Sequence, residues 1–299
     1  MCPTPERRIV VRAPAKVNLY LAIGGLRDDG YHDLETVFQS ISLADEILIE
    51  PAEALSVTTE PDLGLPQSAN LAYRAARALG KAAGCEPAVA IRIDKRIPHG
   101  AGLGGASADA AGVLAGLARL WGLGSGSAAL LHEVASGLGA DVPFLLDGGT
   151  ALCSGKGEVR ERDLPTPPLE FAVVRPDVPV PTADAYRAFD RLGAGRAPDP
   201  GAMVAACEAG DAVLVARALF NNMTEAALSL VPEVADALAS LQQAEGVLGV
   251  AMSGSGSAAF GIFESAEAAG RAAVAARQQG LWGAVARSEG AGVTVTEGA

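Results

Sequence analysis

Basic clusters, aromatic side chains and long apolar runs are all scarce in this chain, and each scarcity excludes something. No run of Lys and Arg exceeds two residues, and the formal net charge is -12 over 299 residues. A polynucleotide-binding surface needs a basic face, so nucleic acid is excluded as a partner. No stretch reaches the roughly 18 uninterrupted apolar residues of a spanning helix, so no membrane is expected either. The N-terminus, Met1-Cys2-Pro3-Thr4-Pro5-Glu6-Arg7-Arg8, lacks the apolar core of a signal peptide. The four cysteines, Cys2, Cys85, Cys153 and Cys207, form no C-x-x-C pair and no zinc spacing. They read as idle thiols of a reducing cytoplasm, and no metal cage of side chains is expected. Aromatic residues make up 4% of the chain, which leaves Ala, Leu and Val to fill the core.

Hydrophobic residues at 49% against 19% charged are a globular composition. The length allows one large domain or two ordinary ones. Short strands are predicted at 9–11, 17–23, 47–49 and 56–59, a helix over 70–83 stopped by Gly84, and a half-buried strand over 88–94. A glycine-rich loop over 98–105 follows, then helices at 107–121 and 127–138 and a strand at 150–153. Pro165, Pro167 and Pro168 interrupt any regular element and set a boundary between residues 1–163 and 164–299. Beyond it come a strand at 171–174, helices at 183–189, 202–209, 212–219 and 234–244, and strands at 249–252 and 258–263. A helix over 266–278 and two terminal strands end the chain. Mixed elements in this order imply an α+β protein of two parts flanking one cleft.

The most informative stretch is Pro98-His99-Gly100-Ala101-Gly102-Leu103-Gly104-Gly105-Ala106-Ser107-Ala108-Asp109-Ala110-Ala111. Four glycines in six positions cost chain entropy and make sense where backbone must approach a ligand. The helix behind them offers free N–H groups and the positive end of its dipole. Together they make a cradle for a di- or triphosphate. A Walker A loop is excluded, because Gly105-Ala106-Ser107 stands where Gly-Lys-Ser/Thr is needed. The spacing Gly100-x-Gly102-x-x-Gly105 satisfies the dinucleotide-binding fingerprint. Five residues separate it from the preceding strand, however, and no second strand follows. An oxidoreductase and a non-catalytic binding module remain the rival readings.

With three other stretches, this loop resembles the GHMP kinases. Gly102-Leu103-Gly104-Gly105-x-Ser107-x-Asp109-Ala110-Ala111 is similar to their second motif. Ala13-Pro14-Ala15-Lys16-Val17-Asn18-Leu19-Tyr20-Leu21, followed by Gly30-Tyr31-His32, is similar to the first. Met252-Ser253-Gly254-Ser255-Gly256-Ser257 is similar to the third, and Gly139-Ala140-Asp141-Val142-Pro143-Phe144 is a further match. They occur in family order across nearly the whole chain. Ala106 and Ala108 depart from the Gly and Ser usual there. Ala108 offers no hydroxyl to phosphate or Mg²⁺, and Ala106 requires φ below zero or mild strain.

The resemblance implies a two-domain GHMP kinase fold. The N-terminal α+β domain would carry a left-handed βαβ unit, and the C-terminal domain would be ferredoxin-like. It implies ATP as co-substrate with Mg²⁺. The Gly-Tyr-His extension points to a small-molecule substrate, a cytidine diphosphate ester of methylerythritol on the non-mevalonate route to isoprenoid precursors. Homoserine and mevalonate kinases are the rivals within the family. Asp141 would take the proton of the attacking hydroxyl, and Lys16 would keep that carboxylate ionised and stabilise the oxygen. The backbone of residues 98–108 would wrap the phosphates, with Ser107 on phosphate or metal and Lys95 and Asn70 beside the nucleotide. Tyr31, His32 and Tyr186 would read cytosine, Asn18 and Thr182 the polyol or its phosphates, and Gly254 and Ser255 the substrate phosphates. The plainer readings are an N-cap or turn acid before Pro143 for Asp141, a solvated strand lysine for Lys16, a loop aromatic covering the core for Tyr31, a helix core residue for Tyr186, and a cap for His32. No nucleophilic serine can be assembled from these motifs with three histidines. The resemblance leaves monomer or homodimer open.

Overall fold

The computed structural model describes residues 8–28, 30–193 and 197–298. Cys2 and the rest of residues 1–7 lie outside the described residues. The chain opens with two long antiparallel strands, β1 (Ile9–Leu26) and β2 (His32–Pro51), in register from Ile9↔Ile49 to Leu26↔His32. The two short strands predicted at 9–11 and 17–23 are therefore one. Pro14 sits at a register shift between Pro14 and Ala15, where a residue without an N–H is tolerated. Next come β3 (Ser56–Glu60), α1 (Leu71–Ala83) and β4 (Val89–Asp94). β3 and β4 pair in parallel, so α1 is the crossover of a βαβ unit. Asn70 caps α1 by accepting Ala72 N–H at 2.9 Å, and Gly84 ends it at φ 67°.

Then follow α2 (Gly105–Leu120), α3 (Ala128–Leu138), α4 (Asp141–Asp147), β5 (Thr150–Ser154) and β6 (Val159–Leu164). Helix α2 lies unusually close to the sheet. A β-carbon on Gly112 would come within 2.6 Å of Ile47 Cδ1, and one on Gly116 within 2.6 Å of Ile49 Cδ1. Its glycines thus set the depth at which its first turn meets β1. The short α4 was not foreseen, because Pro143 reads as a break; it occupies the first turn of the helix, where proline costs no hydrogen bond.

The second part runs β7 (Glu170–Arg175), α5 (Thr182–Leu192), α6 (Gly201–Ala209), α7 (Ala212–Arg217), β8 (Phe220–Asn221), α8 (Thr224–Leu230), α9 (Val234–Gln242), β9 (Val247–Met252), β10 (Ala259–Phe263), α10 (Ala266–Gln278), β11 (Trp282–Arg287) and β12 (Thr294–Glu297). Its sheet is ordered β11-β7-β10-β9, the βαββαβ arrangement expected of a ferredoxin-like unit. Alternation along β7 separates its two faces. Ala172 and Val174 pack with Leu241, Ala268 and Ala272 under α9 and α10. Phe171 and Val173 join the main core with β1, β2 and β4. The larger sheet takes strands from both halves of the chain, since β8 and β12 both pair with β1. Few aromatics are needed, as alanines occupy much of every cluster.

Cys153 and Cys207 are free and buried. Burial pushes both thiols up to about 12, so they are inert, as expected. Cys85 departs from that expectation because it is disulfide-bonded. No helix among the described residues is long and apolar enough to cross a membrane.

Candidate active site

Strand β1 carries Lys16 and Asn18 on its buried side, where both are almost fully enclosed. Lys16 Nζ donates to Asn18 Oδ1 at 2.8 Å and lies 3.5 Å from Asp141 Oδ2. It also sits 5.1 Å from the centre of the Phe38 ring, a favourable seat for a cation. Asn18 is held by donating to Thr36 Oγ1 at 2.8 Å, and Thr36 donates to Tyr20 O at 2.7 Å. The Lys16 side chain is 4% exposed and that of Asp141 31%, so the ammonium is sealed while the carboxylate stays partly open. Asp141 is the first residue of α4 and Ala140 its N-cap, so the carboxylate is no cap. Lys16 is no solvated lysine.

The glycine-rich loop lies directly on this pair. Lys16 N–H donates to Leu103 O at 3.1 Å, and a β-carbon on Gly104 would stand 3.1 Å from Lys16 Cγ. Gly100, Gly102 and Gly104 all have positive φ. Gly104 gives α2 no side-chain cap, so the amides of Gly105, Ala106 and Ser107 have no helical acceptor and are available to an anion. Among the described residues only glycines have positive φ, so Ala106 is unstrained. Ala108 is buried, and its N–H is used by Gly104 O at 2.8 Å. Ser107 Oγ makes no hydrogen bond within the described residues and lies 4.0 Å from where a β-carbon on Gly139 would be, close to the Asp141 segment. His99 is exposed, its carbonyl accepting from Arg175 Nη1 at 3.4 Å.

The third motif locks onto the second. Ser253 Oγ donates to Gly102 O at 2.9 Å, and Ala258 N–H donates to Ala101 O at 3.1 Å. Thr182 and Ser255 hydroxyls meet at 3.2 Å. Asn221, which sequence reading passed over, donates to Met252 O at 2.7 Å and Gly254 O at 2.9 Å. No motif marks it, and only its place between two sheets gives it this role.

Lys95 and Asn70 sit differently from the rest. The Lys95 ammonium is committed to Asp45 and, at 2.6 Å, to Asp109, beneath the first turn of α2. A β-carbon on Gly105 would lie 3.5 Å from its Nζ. Asp45 also accepts the N–H groups of Arg96 at 2.6 Å and Ile97 at 2.8 Å, fixing the strand end that enters the loop. Burial pushes the Asp109 carboxyl up to about 8, against the pull of Lys95. One lysine cannot balance two buried carboxylates, so a proton shared with Asp109 completes the set. Asn70 makes no side-chain hydrogen bond to the loop among the described residues; its contact is the cap of α1.

His32 stacks on Tyr186 with ring centres 5.1 Å apart and bonds Asp190 through Nε2 at 2.7 Å. Burial, and then the Asp141 charge, push the Tyr186 phenol up to about 12, which places this aromatic cluster within electrostatic reach of Asp141. Tyr31 is 58% exposed, no core residue, and the Lys156 ammonium lies 4.1 Å over its ring. Lys156, in the turn between β5 and β6, was likewise missed. Among the described residues, no group of three His, Cys, Asp or Glu side chains could hold a metal ion.

The family models for the GHMP kinases N terminal domain and GHMP kinases C terminal match residues 70–149 and 203–280. A 4-diphosphocytidyl-2-C-methyl-D-erythritol kinase of Pelotomaculum thermopropionicum is 43% identical over 272 residues, covering 90% of this chain and 94% of that one. The protein of the same name from Symbiobacterium thermophilum is 45% identical over 264 residues, covering 87% and 93%. A solved 4-(cytidine 5'-diphospho)-2C-methyl-D-erythritol kinase superposes with TM-score 0.78 at 39% identity, covering 94% of this chain and all of the other. A homoserine kinase from Cytophaga hutchinsonii shares the fold at TM-score 0.77 but only 23% identity. With both family models matched in order and such relatives covering nearly its whole length, the chain belongs to the GHMP kinase family.

Proposed function

We propose that this protein transfers the γ-phosphoryl group of ATP to the 2-hydroxyl of 4-diphosphocytidyl-2-C-methyl-D-erythritol, a step toward isoprenoid precursors. One observation carries the reaction type: the glycine loop lies directly against Lys16, whose ammonium pairs with Asp141. A phosphate tail gripped there ends beside the carboxylate. Relatives named for this substrate and the stacked His32–Tyr186 pair, with the exposed Tyr31 next to it in sequence, support the acceptor.

In this reading Asp141 accepts the hydroxyl proton as the oxygen attacks, and Lys16 offsets negative charge gathering at that oxygen. Asn18, held by Thr36, orients both Lys16 and the polyol. The amides of Gly105 to Ser107 take the charge of the phosphates. Mg²⁺ travels with the triphosphate as part of the substrate, and Ser107 Oγ is the hydroxyl placed to meet it; magnesium of this kind needs few protein ligands. Lys95 acts on the loop from beneath, and Asn70 is kept as a neighbour of the nucleotide. Tyr31 stacks on the base, His32 reads its edge, Tyr186 backs His32, and Thr182, Gly254 and Ser255 face the substrate phosphates. The protein acts as a monomer or homodimer, divided functionally at 163/164, and its use of ATP fits a cytoplasmic reaction.

The test is turnover with ATP and Mg²⁺ against a panel of the cytidyl compound, homoserine and mevalonate. Phosphorylation of the cytidyl compound is expected. Phosphorylation of homoserine or mevalonate without it would overturn the assignment.

A further inference from the structure

We propose that Asp190 is a specificity-determining residue, which fixes the proton of His32 on Nε2 and so makes its Nδ1 an acceptor that selects cytosine over uracil. The proposal rests on the cytidyl reading above and adds to it a residue that no motif marks. His32 Nε2 and Asp190 Oδ1 are 2.7 Å apart. An ionised carboxylate can only accept, so in the neutral imidazole Nε2 carries the hydrogen and Nδ1 carries a lone pair. The ring is held by this bond and by two aromatic neighbours. One face stacks on Tyr186 at 5.1 Å, and Phe189 meets the ring edge-on at 6.1 Å.

Nδ1 has no partner within the described residues, yet it is not among the sealed polar atoms. It therefore opens toward space that solvent or a ligand occupies, next in sequence to the exposed Tyr31. The two pyrimidines differ at N3 and at the 4-position, and Nδ1 is set here against the 4-position. Cytosine offers an amino donor and uracil a carbonyl acceptor. An acceptor nitrogen bonds the first and meets the lone pairs of the second. Asp190 is half-exposed, its side chain 48% accessible, so changing it leaves the core packing in place.

The experiment compares wild type, Asp190→Asn and Asp190→Glu in mildly alkaline buffer, where an imidazole is neutral. It has three readouts: ¹⁵N shifts of His32, affinities for CDP and UDP by calorimetry, and steady-state constants with the cytidyl substrate. An asparagine amide can donate to Nε2 and let the proton move to Nδ1, whereas glutamate can only accept. In wild type the Nε2–H tautomer and a preference for CDP are expected. In Asp190→Asn the CDP/UDP preference falls about tenfold, the size of one hydrogen bond lost and one repulsion relieved. KM for the cytidyl substrate rises by a similar factor while kcat stays within about twofold, and Asp190→Glu restores the preference. An Nδ1–H tautomer in wild type, or a CDP/UDP ratio unchanged in Asp190→Asn, overturns the proposal. Wild type that binds CDP and UDP equally and phosphorylates no cytidyl compound instead overturns the cytidyl reading itself.

Discussion

Replacing Gly102 by alanine tests whether the phosphate loop is held by the third motif. Gly102 has φ +77°, and a β-carbon there would fall 2.1 Å from Ser253 O and 3.1 Å from Gly256 O. Carbon and oxygen cannot approach so closely, so the two loops must part by roughly 1 Å to regain contact distance. Parting them breaks the bonds from Ser253 Oγ to Gly102 O and from Ala258 N–H to Ala101 O, each contributing about 1 kcal/mol. The left-handed backbone adds about 1–2 kcal/mol for any side chain. Gly84→Ala isolates that last contribution, since Gly84 has φ +67° and open space around its Cα. Urea unfolding should therefore find Gly102→Ala less stable than Gly84→Ala by about 2 kcal/mol. Turnover should fall about 100-fold in Gly102→Ala, the usual effect of a 1 Å misplacement of a reacting group, and stay near wild type in Gly84→Ala. Equal stabilities for the two variants, with normal turnover in Gly102→Ala, would refute the claim that the motifs are mechanically joined.

Asp141→Asn should lower kcat by about 100-fold or more while ATP affinity changes little, because the amide cannot take the proton; single-turnover kinetics with separate nucleotide titration would show it. Tyr31→Ala should raise KM for the cytidyl substrate about tenfold, as a lost stack would, with little change in KM for ATP. The buried Asp109 gives a pH signature. Its native carboxyl, raised to about 8, binds a proton that the unfolded chain releases near pH 4. Its contribution to stability is complete below that lower value and is lost as pH rises through about 8. The stability of wild type relative to Asp109→Asn should thus fall between about pH 4 and 8, by no more than about 1.4 kcal/mol per pH unit. Urea titrations across that range would check it, and a flat difference would mean that the carboxylate is ionised throughout.

How much was legible in the sequence depends on where each residue finds its partner. The phosphate loop and the helix after it were readable because φ above zero and close approach demand glycine at those positions, whatever the rest of the chain does. The boundaries of α1 were readable for the same local reason, an asparagine cap and a left-handed Gly84. β2 was not. Only 47–49 of its 20 residues read as strand, because Thr36, Gln39, Ser40 and Asp45 look like surface residues and are all fully buried. For three of the four the burial is made tolerable by bonds to other elements: Thr36 donates to Tyr20 O at 2.7 Å, Gln39 accepts from Thr150 Oγ1 at 2.7 Å, and Asp45 bonds Lys95 and the amides of Arg96 and Ile97; the Ser40 hydroxyl has no partner among the described residues. A polar side chain costs free energy in a core unless it is bonded, and no periodicity announces a bond across 50 or 111 positions. Lys95 shows the consequence for function. The resemblance sets it beside the nucleotide, and its ammonium is held by two acids under the first turn of α2. The motif thus locates the chemistry, but buried polar pairs distant in sequence fix its geometry. Asn221, Asp45 and Asp190 belong to that second class.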